Sequence, residues 1–171
     1  IPELVNGLKN FDGSKVFSEE SIKVAADLPF RDFITVGILL KSLNGPKGEK
    51  LDDTWLYIQD SDAIVGRIQI FNNWSPFLLD DKSKIWVGLE YFCDKDDTLW
   101  SMNDSSILNL AIKELLNLGL ISKSDFLDGV VFRQEKAYPG YFDGYDKFEI
   151  IKNEIDSLDG LLVIGRNGMH C

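Results

Sequence analysis

The sequence predicts an α+β fold, a largely antiparallel or mixed sheet with helices packed on it, and three observations carry that expectation. Strand-like runs follow one another without a helix between each pair, which a strict strand-helix alternation would require. Two of these runs are joined by a short polar turn, as a hairpin demands. Two other stretches place apolar residues at helical spacing, so that each buries one stripe.

Taken in order, Pro2 to Leu8 reads as a short opening helix. Ser18 followed by Glu19 and Glu20 is a helix start, with a capping oxygen and acids in the first turn, and Pro29 stops it. Phe33 to Leu40 is uncharged and β-branched, which predicts a central strand covered on both faces, broken by Asn44-Gly45-Pro46. Thr54 to Gln59 and Val65 to Phe71, separated by Asp60-Ser61-Asp62, predict a hairpin. Ile85 to Phe92 is a further strand after the turn Asp80-Asp81-Lys82-Ser83. Asn103 or Asp104 caps a helix carrying Ile107, Leu108, Ala111, Ile112, Leu115 and Leu118, and Gly119 ends it. Val130 to Lys136 reads as a strand, Phe148, Ile151, Ile155 and Leu158 mark a last helix, and Leu161 to Ile164 reads as a buried closing strand.

Composition narrows the function classes. With 171 residues, 44% of them apolar, the chain can bury a real core. A formal charge of -10, from 28 acidic against 18 basic side chains, opposes binding to nucleic acid or an anionic membrane. No apolar run approaches the ~20 residues of a membrane span, and the expected location is cytoplasmic. Two cysteines and one histidine leave little material for a disulfide framework, a metal site or a Ser-His-Asp triad. Neither glycine-rich phosphate loop, G-x-G-x-x-G or G-x-x-x-x-G-K-[ST], occurs, so any nucleotide cofactor needs residues from elsewhere. An opening Ile and a last motif that stops in mid-turn suggest a piece of a longer protein.

Several side chains stand out against this background. Arg67 lies in an otherwise uncharged strand and must reach solvent, a carboxylate or a phosphate, because unpaired burial is costly. Asn72, Asn73 and Trp74 then offer amides and an aromatic surface in a turn. Tyr138 and Tyr141 belong to a tyrosine cluster among glycines, able to face a cleft or to pack half-buried. Glu90 sits in a strand, where a carboxylate could face a pocket with a raised pKa, but a solvated edge position is the expected reading. Gly165-Arg166-Asn167-Gly168 brings bare backbone and one guanidinium to a single point, which suits a phosphate or makes a plain turn.

Three segments together, Trp55-Leu56-Tyr57 with Gly66 through Pro76, Lys136-Ala137-Tyr138-Pro139, and Gly165 through His170, resemble flavin-dependent oxidoreductases of the amine oxidase and protoporphyrinogen oxidase superfamily. The UDP-galactopyranose mutase-like branch is the nearest. The resemblance runs over essentially the whole chain and implies a parent with an FAD-binding domain of Rossmann type, to which residues 165–171 return, while residues 1–164 form the substrate-binding domain. It implies that Arg67, Asn72, Asn73, Trp74, Tyr138 and Tyr141 face a small-molecule substrate such as a nucleotide-sugar, Arg67 against its diphosphate. Gly165, Arg166, Asn167 and Gly168 would lie by FAD. His170 departs from the mutase pattern, and an amine or protoporphyrinogen-type oxidase or desaturase is the second chemistry that the resemblance implies. The piece alone is expected to be inactive, at most a binding module.

Overall fold

The computed structural model describes residues 1–140 and 147–169. Tyr141 and His170, singled out in the sequence, lie outside the described residues. The chain forms two compact units, one of Ile1–Arg31 with Lys136–Cys171 and one of Asp32–Glu135. It passes between them along two strands, β1 (Phe30–Leu40) and β5 (Phe126–Pro139).

The first unit holds α1 (Pro2–Gly7), α2 (Glu19–Asp27), α6 (Phe148–Asp156) and the four-residue α7 (Arg166–Met169). Val5, Phe17, Ala25, Leu28, Phe148, Ile151 and Ile155 form its core. Ser18 caps α2, its oxygen accepting the Ser21 N–H at 3.1 Å. The same serine donates to Glu154 of α6 through its hydroxyl at 2.5 Å and its backbone N–H at 3.0 Å. Burial raises the pKa of Glu154, but the Ser18 bonds lower it by more, so this tie holds above the usual carboxylate range and weakens as the pH falls through it. Leu161 to Ile164 forms no strand. Leu161 and Val163 pack on the core, whereas Leu162 and Ile164 are 89% and 83% exposed. A continuous apolar run does not itself supply a pairing partner, and none of the described strands offers one here.

The second unit is a sheet with a long helix. Strands β2 (Trp55–Tyr57), β3 (Arg67–Ile70) and β4 (Ile85–Cys93) join β1 and β5 in the order β2-β3-β4-β1-β5. β1 with β4, β2 with β3 and β3 with β4 are antiparallel, so the α+β expectation holds. Asp60 shapes the hairpin turn by accepting the Asp62 N–H at 2.9 Å. Side chains alternate across the sheet. Ile34, Val36, Ile38, Leu40, Ile68, Val87, Leu89 and Tyr91 point to one face and are fully buried there against α5 (Asp104–Asn117), which contributes Ile107, Ala111 and Leu115. Asn103 caps α5, accepting the Ser106 N–H at 2.9 Å, and Gly119 at φ 69 leaves the helix in the left-handed region.

The opposite face is paved with aromatic rings. Rings lie directly on glycines: Trp86 on Gly37, Phe92 on Gly66 and Phe71 on Gly88, so close that a Cβ would meet them at 2.8, 2.9 and 2.9 Å. Phe71 opens the short helix α3 (Phe71–Trp74), and a second short helix, α4 (Thr98–Ser101), precedes α5. Among the described residues no helix is long and apolar enough to cross a membrane.

One buried carboxylate ties these parts together. Glu114 of α5 accepts the backbone N–H of Ile64 at 2.5 Å and of Val65 at 3.2 Å, and the phenol of Tyr91 at 2.6 Å. Burial, then Glu114 itself, holds the Tyr91 hydroxyl far above its ordinary pKa, so it stays a neutral donor. Its stabilisation is complete below pH ~10 and is lost as the pH rises further.

Glu114→Ala is expected to lower stability by about 3 kcal/mol and Tyr91→Phe by about 1 kcal/mol in urea denaturation. Gly88→Ala, which drives a methyl into the Phe71 ring, is expected to cost about 1–3 kcal/mol by the same measurement.

Candidate functional site

Arg67, on β3, points to the paved face. Its cross-strand partner in the antiparallel register is Glu90 of β4. The Arg67 Nε donates to Glu90 Oε2, and the amide of Gln69, two residues along the same face, donates to Glu90 Oε1. The pair is well removed from water, with side-chain exposures of 15% and 3%. The solvated edge position expected for Glu90 is therefore overturned: β4 lies inside the sheet between β3 and β1, and the carboxylate is held there because two donors satisfy it.

Aromatic rings surround the guanidinium. Its carbon lies 5.1 Å from the Trp55 ring centre and 5.9 Å from that of Tyr57, both within cation-π range. Trp55 meets Tyr57 at 6.2 Å and Trp74 at 5.3 Å, edge to face in each case. Tyr57 and Trp74 remain 63% and 47% exposed. The result is an open aromatic surface around one arginine whose charge a buried carboxylate balances.

The two asparagines do something else with their amides. Asn72 donates to the Lys84 carbonyl and accepts the Trp86 N–H, each at 2.9 Å. Asn73 donates to the carbonyls of Leu51 and Asp53 at 2.9 and 2.7 Å. They act as struts that fix α3 against the start of β4 and the segment before β2, and so hold Trp74 beside Trp55. A small cavity of about 190 Å³ lies next to them, lined by Asn72, Ser75, Pro76, Leu79 and Lys82.

The remaining candidates belong to the first unit. Gly165 has φ 74, a left-handed backbone that favours glycine, and its carbonyl accepts the N–H groups of Gly168 and Met169 at 3.1 and 2.8 Å. Arg166 stands exposed with its guanidinium carbon 5.0 Å from the centre of the Tyr138 ring. Asn167 reaches the Lys136 carbonyl at 3.5 Å. Tyr138, assigned to the substrate by sequence, thus touches the arginine assigned to the cofactor. Beside this turn lies a 470 Å³ cavity walled mainly by Phe148, Ile155, Leu161, Val163, Gly168 and Met169.

Sequence reasoning named neither Trp55, Tyr57 nor Gln69 as site residues. The signal was available: Trp55 and Tyr57, like Arg67 and Gln69, are two residues apart, which places each pair on one face of its strand.

No family model and no curated protein matches the chain. Solved structures do. A crystal structure of reduced UDP-galactopyranose mutase superposes with a TM-score of 0.73 at 22% identity, over 98% of this chain and 34% of that one. A protein assigned as a protoporphyrinogen oxidase, from Exiguobacterium sp. 255-15, superposes with a TM-score of 0.56 at 12% identity, over 77% of this chain and 28% of that one. The chain spans about a third of the length of these structures, and at such identities what it shares with that third is its fold.

Proposed function

We propose that this chain is the substrate-binding part of an FAD-dependent oxidoreductase or isomerase, and that the paved sheet face receives a nucleotide-sugar or a similar small molecule. One observation carries the reading: Arg67 is fixed by Glu90 beneath partly exposed rings of the paved face. Such a surface offers ring stacking together with an oriented cation. The fold shared with UDP-galactopyranose mutase supports it. In this reading the bases or sugars lie on Trp55, Tyr57 and Trp74, and Arg67 turns towards the diphosphate.

The first unit fits one border of a flavin nucleotide. At Gly165 the space a Cβ would take is open, and Arg166 presents an exposed cation. These two residues, with Asn167 and Gly168, would hold the cofactor, and the G-x-G-x-x-G half of its site would come from other sequence. FAD, when bound, supplies the hydride or covalent chemistry that none of these side chains can perform. Their own task is to bind, orient and exclude water. The chain alone is then a binding module without turnover.

A second reading, an oxidase acting on an uncharged substrate, is favoured by the charge balance of the Arg67–Glu90 pair, which leaves the rings as the dominant surface.

Thermal melts of the 171-residue chain separate these readings. UDP and UDP-galactopyranose at about a hundred times their dissociation constants are expected to add about 2.7 kcal/mol of stability, raising the midpoint by several degrees. Arg67→Ala should weaken UDP, because the buried Glu90 carboxylate then opposes its phosphates unbalanced, and Trp74→Ala should weaken every ligand. No shift with either nucleotide at millimolar concentration would defeat the nucleotide-sugar reading, and an unchanged UDP shift in Arg67→Ala would defeat the arginine's part in it.

A further inference from the structure

We propose that Glu90 is a specificity-determining residue: by cancelling the charge of Arg67 it sets how strongly the sheet face attracts an anion relative to a neutral ring. The proposal rests on that face being the ligand surface and adds to it the residue that decides which ligand charge the surface accepts.

The face positions of the three strands that carry the pair make position 90 decisive. Trp55 and Tyr57 of β2, Gln69 of β3, and Trp86, Gly88 and Phe92 of β4 are uncharged. Among the described residues of β2, β3 and β4, Arg67 and Glu90 are the two charges on this face, and they form an ion pair. An anion that reaches the guanidinium therefore also lies within the field of the adjacent carboxylate. Attraction to one is offset by repulsion from the other. Water screens little of this, because both side chains are largely excluded from solvent. One uncancelled charge in such a setting changes the affinity for an anion by about ten- to a hundredfold.

Glu90 can lose its charge without losing its shape. Glu90→Gln keeps an acceptor for Gln69 or Arg67 and removes the carboxylate's charge from beside the arginine. A neutral ligand held by Trp55, Tyr57 and Trp74 should not sense the change, while an anion should.

The experiment is a titration of the whole chain with inorganic pyrophosphate and, separately, uridine, read by tryptophan fluorescence, with Trp55 beside Arg67 as the reporter. Glu90→Gln is expected to bind pyrophosphate at least about tenfold more tightly than the natural chain, with a steeper salt dependence, and to bind uridine within about twofold of it. The double variant Arg67→Ala/Glu90→Gln should lose the gain. Pyrophosphate binding by a folded Glu90→Gln chain that is no tighter than that of the natural chain overturns the proposal. Should Glu90→Gln fail to fold, Gln69→Lys decides the matter: it sets a second cation against Glu90 with the carboxylate retained, and the same gain is expected, its absence overturning the proposal. A gain for pyrophosphate with no binding of uridine or UDP-galactopyranose would refute the nucleotide-sugar reading and uphold the role of Glu90; nucleotide binding without the gain would do the reverse.

Discussion

The arrangement of the second unit depends on two carboxylates that clamp strand β4 from opposite faces. Adjacent strand residues point opposite ways, so Glu90 and Tyr91 face different layers. On the paved face, Glu90 takes the hydrogen bonds of Arg67 and Gln69. On the core face, Tyr91 donates to Glu114, which also holds the backbone of Ile64 and Val65 at the entrance to β3. The β2–β3 hairpin is thereby fixed to β4 by its ladder and by a carboxylate on each side. Burying either carboxylate would be strongly unfavourable without partners, and each has at least two donors. The cost of desolvation is thus converted into a single register, and that register places Arg67 under Trp55 and Tyr57.

Such a clamp also explains how an open face can remain ordered. Trp55, Tyr57 and Trp74 remain partly exposed, so burial alone does not hold them. Glycines at positions 37, 66 and 88 let Trp86, Phe92 and Phe71 lie flat on the backbone, and Asn72 and Asn73 pin the helix that carries Trp74. A surface ordered before its ligand arrives loses little side-chain freedom on binding, and that favours affinity without new contacts.

What could be read from the sequence was local, and what was missed was not. The strands β1 and β4, the caps at Ser18 and Asn103 and the hairpin turn at Asp60 each follow from neighbouring residues, and all are present, but β1, expected to be covered on both faces, is fully buried on one and leaves Phe33, Thr35 and Leu39 half-buried on the other. Glu90 was misplaced because its burial follows from the position of β4 in the sheet, set by partners 21 and 23 residues away. The amides of Asn72 and Asn73 looked available because the carbonyls they bind lie 12 to 22 residues off. Leu161 to Ile164 had the composition of a strand, yet a strand needs a ladder, and composition does not supply one. Arg67 was legible in kind: a guanidinium in an apolar strand needs a partner, and of the three open to it the structure shows the carboxylate.

That partner bears on what the face can recognise. A lone half-buried arginine would make charge the dominant attraction, since a unit charge a few ångströms away is worth about 4 kcal/mol at an effective dielectric near 20. With Glu90 alongside, most of that sum is offset before a ligand arrives. Stacking on an aromatic ring, at about 1–3 kcal/mol per base, then becomes the largest remaining contribution. If the face is the ligand surface proposed above, the rings set affinity and the ion pair sets discrimination, because a ligand that brings a charge must overcome a balance already struck, whereas a ligand that brings a flat surface need not.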